Sequence, residues 1–143
     1  MGFKSLNPGP LTAGRGLEII AFGFRHAAGA SPDFLWQAGA NAVASVTKDA
    51  TTGGTYTVQL VQPYPREIVA GFVQLSDASA TLTTWRARLD IDSYSASAGT
   101  FDIETIHDND GDGDVAIVQP TDNAVISVLL VCQTKNILVE AHS

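Results

Sequence analysis

The stretch Gly53–Asp77, GGTYTVQLVQPYPREIVAGFVQLSD, decides the fold class. Tyr56, Val58 and Leu60 alternate with Thr55, Thr57 and Gln59, the period of a strand with one buried face. Pro63 and Pro65 then interrupt the ladder, because proline lacks an N–H and fixes φ. A second apolar run, Ile68 to Leu75, follows. Strand, break and strand together predict antiparallel β structure.

The flanking sequence repeats this grammar. On the N-terminal side, Leu17 to Ala28 reads as a strand with Ile20, Phe22 and Phe24 on one face and Gly23 opposite. Residues 29–42, GASPDFLWQAGANA, read as a loop whose Phe34, Leu35 and Trp36 either cap the core or form a contact patch. Val43 to Lys48 is a short strand, and Asp49 to Gly54 is a turn in which Gly53 and Gly54 can take positive φ. On the C-terminal side, Asp77 to Thr81 is a turn. Thr83 to Asp92 alternates cleanly, with Trp85, Ala87, Leu89 and Ile91 against Arg86, Arg88, Asp90 and Asp92. A turn over Ser93 to Gly99 leads to a strand over Thr100 to Ile106, and a short strand spans Val115 to Val118. After the turn Pro120 to Asn123, Ala124 to Gln133 is apolar on both alternating faces, which predicts a central strand buried on both sides. About eight strands with regular turns give an all-β fold, an antiparallel β-sandwich or jelly roll. Residues 1–16 carry Gly and Pro with no period and read as an extended N-terminal arm, or as a frayed terminus. Residues 17–143 form the single sandwich domain.

Composition narrows the function. The chain of 143 residues suits one core, and charged residues are only 16%, below the usual quarter. So sparse a charge is expected of a surface covered by copies or partners, or of a β protein that uses Thr, Ser and Gln on its faces. A net charge of −7 argues against direct binding of nucleic acid. No apolar run approaches the ~20 residues that span a bilayer, which argues against a membrane partner. No basic, apolar and cleavable N-terminal stretch is present, so synthesis in a cytoplasm is expected. The single cysteine, Cys132, sits in an apolar run and reads as a small buried hydrophobe.

One motif has the chemistry of a site. Asp108, Asp110 and Asp112, followed by Gly113 and Asp114, have the DxDxDG spacing that wraps oxygen ligands around calcium. The twelfth loop position is Gln119 rather than glutamate, and the flanks read as strands, so this is not an EF-hand. The alternatives are a structural calcium in this loop or a solvated turn with no cofactor. His26, His107 and His142 lack zinc-site spacing, although His107 adjoins the acidic loop. Asp90 with Asp92, or Asp102 with Glu104, are the carboxylate pairs on offer for acid–base work, and they equally suit a solvated strand face. No nucleophile elbow, HExxH, Walker or GxGxxG motif occurs, so no catalytic residue is assigned and the chain is expected not to be an enzyme. Trp36, Tyr64 and Tyr94 are the aromatic residues a sugar would meet in turns.

GGTYTVQLVQPYPREIVAGFVQL resembles a segment of many small structural proteins of tailed bacteriophages, in which a glycine, a YTV-x-L strand and a PYP-like break precede an apolar strand. GTFDIET, the Asp/Asn/Gly loop and ISVLLVCQTKN continue the likeness, which covers about residues 42 to 136. The resemblance implies a capsid decoration (cement) protein on the outer surface of a virion, often a homotrimer of jelly rolls. Its partners would be itself and the major capsid protein. Such a protein stabilises the head by bridging capsomers, many weak contacts opposing the pressure of packaged DNA. On that reading Phe3, Lys4, Leu6 and Arg15 in the arm reach a neighbour, and Phe34 and Trp36 are buried between subunits. Residues 1–41 and the DxDxDG loop depart from the pattern. A tail, neck or receptor-binding fibre-head module is the alternative virion component, and a calcium-stabilised adhesion module the cellular one.

Overall fold

A computed structural model describes residues 16–39, 41–51, 53–61, 66–76, 85–107 and 116–134. Among these residues, nine strands form two antiparallel sheets: β1 (Leu17–Arg25), β2 (Asp33–Gly39), β3 (Val43–Lys48), β4 (Thr55–Leu60), β5 (Arg66–Ser76), β6 (Trp85–Ser95), β7 (Thr100–His107), β8 (Ala116–Ile117) and β9 (Val125–Thr134). The four-stranded sheet runs β2-β1-β9-β5; the five-stranded sheet runs β3-β4-β7-β6, with β8 on β7. The two sheets pack as the sandwich expected from the sequence.

Alternation builds the core. Ile20, Phe22 and Phe24 of β1 and Ile126, Val128, Leu130 and Cys132 of β9 point inward. They meet Tyr56 and Val58 of β4 and Phe101 and Ile103 of β7. Cys132 is buried, as a small hydrophobe would be. Gly53 (φ 68°) and Gly99 (φ 71°) take the left-handed conformation that their turns require.

Three expectations need correction. The loop predicted over residues 29–42 contains β2, which pairs with β1 along Asp33–Gly39. Its apolar residues show no period because the register shifts between Gly23 and Phe24, leaving Leu35 without an opposite residue. Tyr94, expected in a turn, lies in β6 and packs against the core. Most consequential is β9. It is central, between β1 and β5. Only its inward row is fully buried, and Leu129 on the outer row is 40% exposed.

The orientation of β9 gives a direct check. Leu130→Ala should lower the unfolding free energy by about 2–5 kcal/mol, because it leaves a cavity in the core. Leu129→Ala, one residue away, should change it by about 1 kcal/mol or less. Chemical denaturation of the two variants measures both. Equal losses would place Leu129 in the core and contradict the orientation.

Candidate functional site

Exposed apolar side chains are concentrated on one sheet. Ten large hydrophobic residues among those described are exposed. Seven of them, Leu17, Phe34, Leu35, Trp36, Val69, Phe72 and Leu129, belong to the four-stranded sheet, so that sheet is the candidate surface.

Register explains how the surface forms. One outward row across the sheet is Trp36, Gly23, Ser127 and Gln74; the next is Ala38, Ala21, Leu129 and Phe72. The small residues make a floor and the large ones make walls. The result is a depression of about 230 Å³ between Trp36 and the Leu129–Phe72 pair. The indole of Trp36 lies over Gly23, where a Cβ would collide with Nε1. Glycine at 23 is therefore what lets the indole lie down on the sheet.

The bulge separates the two aromatic residues that the sequence offered as interface candidates. Phe34 sits opposite Phe24 and stacks on Phe22, with ring centroids 6.3 Å apart, so it seals the edge of the core. Trp36 sits opposite Gly23 and faces outward, 43% exposed. In an unbroken strand both would share a face. Only Trp36 belongs to the outer surface.

Charge is confined to the margins of this sheet. Its charged residues with described side chains are Glu18, Arg25, Asp33 and Glu67, all within two residues of a strand end. An uncharged apolar centre with a charged rim has the anatomy of a protein–protein interface. Covering such a surface takes apolar area out of water, the main favourable term in association.

A second apolar feature adjoins it. β5 and β6 face each other across an open side of the sandwich, lined by Ile68, Val69, Gly71, Phe72, Leu89 and Ile91. Gly71 permits the approach, since a Cβ there would lie 2.6 Å from Leu89 Cδ2. Val69, at the bulge between Ile68 and Ala70, and Phe72 remain exposed beside this groove.

The five-stranded sheet presents a contrasting, polar face. Arg88 Nε donates to Glu104 Oε2 at 2.7 Å, across directly paired residues. Thr57 Oγ1 donates to Asp102 Oδ1 at 2.6 Å, and Asp90 stands opposite Asp102. Of the carboxylates considered for acid–base work, Asp102, Glu104 and Asp90 are thus engaged with Thr57, Arg88 and the Asp92 N–H along a strand pair.

Inside the core lies a buried polar chain that sequence reasoning missed. His26 is fully buried, and its Nδ1 is 2.7 Å from the Tyr56 hydroxyl. Thr105 is a further partner of Tyr56, and it donates to the Val118 carbonyl at 2.7 Å. His26 Nε2 is buried without a hydrogen-bond partner among the described residues. Burial, and then the Lys48 ammonium, hold the imidazole below its ordinary pKa of 6.5, while Asp122 works weakly the other way. Burial also pushes the Tyr56 hydroxyl well above its usual range. His26 carries no spacing motif, and only its place at the end of β1 foretells burial.

The remaining sequence candidates separate. His107 stacks on Trp85, with ring centroids 4.2 Å apart. Asp108, Asp110, Asp112, Asp114, Tyr64 and His142 lie outside the described residues, as do Phe3, Lys4, Leu6 and Arg15. No protein-family model, curated protein or solved structure matches this chain.

The buried histidine makes stability depend on pH. Because its folded pKa is lowered, the unfolded chain takes up the proton first, so stability is full above about pH 6.5 and falls as the pH drops below it. The slope from one such group reaches about 1.4 kcal/mol per pH unit. Melting curves between pH 7.5 and 5, taken as about the neutral-to-acid range, should show Tm falling on acidification. In His26→Gln that fall should be shallower. A wild-type Tm that stays level would contradict the account.

Proposed function

We propose that this chain is a structural protein of a tailed-bacteriophage virion, a capsid decoration protein that works by binding rather than by catalysis. One observation carries the reading: β9 has two apolar rows, and the outer one, with Leu129 beside Phe72 and Trp36, stands exposed on a sheet face whose charges lie only at its margins. Monomeric proteins rarely leave a contiguous apolar patch of this kind uncovered; such patches mark interaction sites. The resemblance of residues 42 to 136 to phage structural proteins supplies the setting. The sparse charge of the whole chain, 16%, fits a surface meant for partners.

The mechanism is mechanical. Each copy binds the outer surface of the capsid and touches more than one capsomer. Linked contacts then act together, so modest individual affinities sum to a firm clamp on the head. Association of copies into a closed ring, a trimer by the resemblance, multiplies the contacts further. Partners are other copies and the major capsid protein.

Counting copies in purified particles of the phage that encodes the chain tests this. Quantitative mass spectrometry against the major capsid protein should find about one copy per capsid subunit, or one trimer per local threefold. A handful of copies per particle would move the protein to a neck, tail or fibre, and absence from particles would remove it from the virion. Phe72→Asp should leave the melting temperature nearly unchanged and lower the copy number.

A further inference from the structure

We infer that the outer face of the four-stranded sheet is the seat of a second copy of this chain, which docks by laying its residues 1–15 along that face. This deepens the assembly reading of the same surface and rests on it.

The face has a definite size. β1 has nine residues, so the face is about 30 Å long, and four strands make it about 19 Å wide. Two such faces pressed together would bury roughly 1,200 Å² in total, the lower limit for a stable interface. Contact of the bare faces also brings like charges together. Residues 1–15 hold two of the eight basic residues and none of the fifteen acidic ones, so the remainder of each copy has six basic and fifteen acidic residues, a net of −9. Two bodies of that charge repel. A basic segment of one copy lying on the other adds both area and opposite charge.

The segment has the right length and chemistry. Fifteen residues reach about 50 Å when extended, which spans the 30 Å face and leaves about 20 Å to cross between copies. Its larger apolar residues include Phe3, Leu6 and Leu11, spaced by Gly and Pro, and they suit a shallow trough floored by Ala21 and Ser127. Glu67 and Asp33 stand at opposite corners of the face, about 30 Å apart by strand rise and spacing. Lys4 can therefore meet Glu67 at one corner, since Asp33 already stands opposite Arg25, while Leu6 crosses the apolar centre.

The starting point favours exchange. Gly16, in the left-handed conformation (φ 78°), links the segment to Leu17, the first residue of β1, opposite Gln133 at the end of the sheet. The run Asn7-Pro8-Gly9-Pro10 contains two prolines, which favour extended chain over a tight reversal.

The test uses the full chain. Sedimentation over about 1–100 µM should show a self-associating species. Deleting residues 1–15, or Phe72→Asp, should weaken association by about ten-fold or more, with the far-ultraviolet spectrum and melting temperature kept. A second measurement pairs Leu11→Cys in one tagged copy with Phe72→Cys in a differently tagged copy. A disulfide joining the two tags supports exchange. A full chain monomeric throughout that range, an arm deletion that leaves association unchanged, or a disulfide formed only within a doubly substituted single chain would each overturn it. Full occupancy on virions by a monomeric protein would overturn the exchange and leave the decoration reading intact. Absence from virions with exchange intact would do the reverse.

Discussion

Strand alternation at β9 is the constraint on which the rest depends. Its inward row, Ile126, Val128, Leu130 and Cys132, meets Phe22 and Phe24 of β1 and the aromatic residues of the opposite sheet. Each fully buried side chain of this kind contributes about 1.5–3 kcal/mol relative to exposure. Because side chains alternate, fixing that row fixes the other one outward. A register slip of one residue would place Val125, Ser127, Leu129 and Val131 in the core and expose the better-packing row. Burial therefore specifies the outer surface as firmly as it specifies the core.

Two glycines adapt the sheets to that arrangement. Gly23 admits the Trp36 indole to the outer face, and Gly71 lets β5 approach Leu89 of β6. Both stand in strands, where glycine ordinarily weakens pairing and marks a close approach. The apolar surface they shape runs from Trp36 across Leu129 to Phe72 and on to the β5–β6 groove. The opposite sheet carries Arg88, Glu104, Thr57 and Asp102 on its outer side. The domain is thus two-sided, one sheet apolar outside and the other polar.

Much of this was legible in the sequence. Period-two alternation placed β4, β6 and β7 within a few residues, and Gly53 and Gly99 marked their turns. The almost unbroken apolar run of β9 announced its central position. β2 was not legible, because a bulge destroys the alternation that reveals a strand, and Phe34, Leu35 and Trp36 read as an aperiodic cluster. The split between Phe34 and Trp36 depends on that same bulge. The exposure of Leu129 was hidden for another reason: an apolar row has one appearance in sequence whether it is covered within the domain or by another molecule. The His26–Tyr56–Thr105 chain joins residues far apart in sequence, and no local pattern encodes it.

The central claim is that the outer row of the four-stranded sheet is covered when the protein is assembled. Hydroxyl-radical footprinting, read residue by residue in the dilute chain and in the assembled state, tests it most directly. The account predicts that Trp36, Phe72 and Leu129 become protected on assembly. Equal oxidation of these three residues in the two states would contradict it.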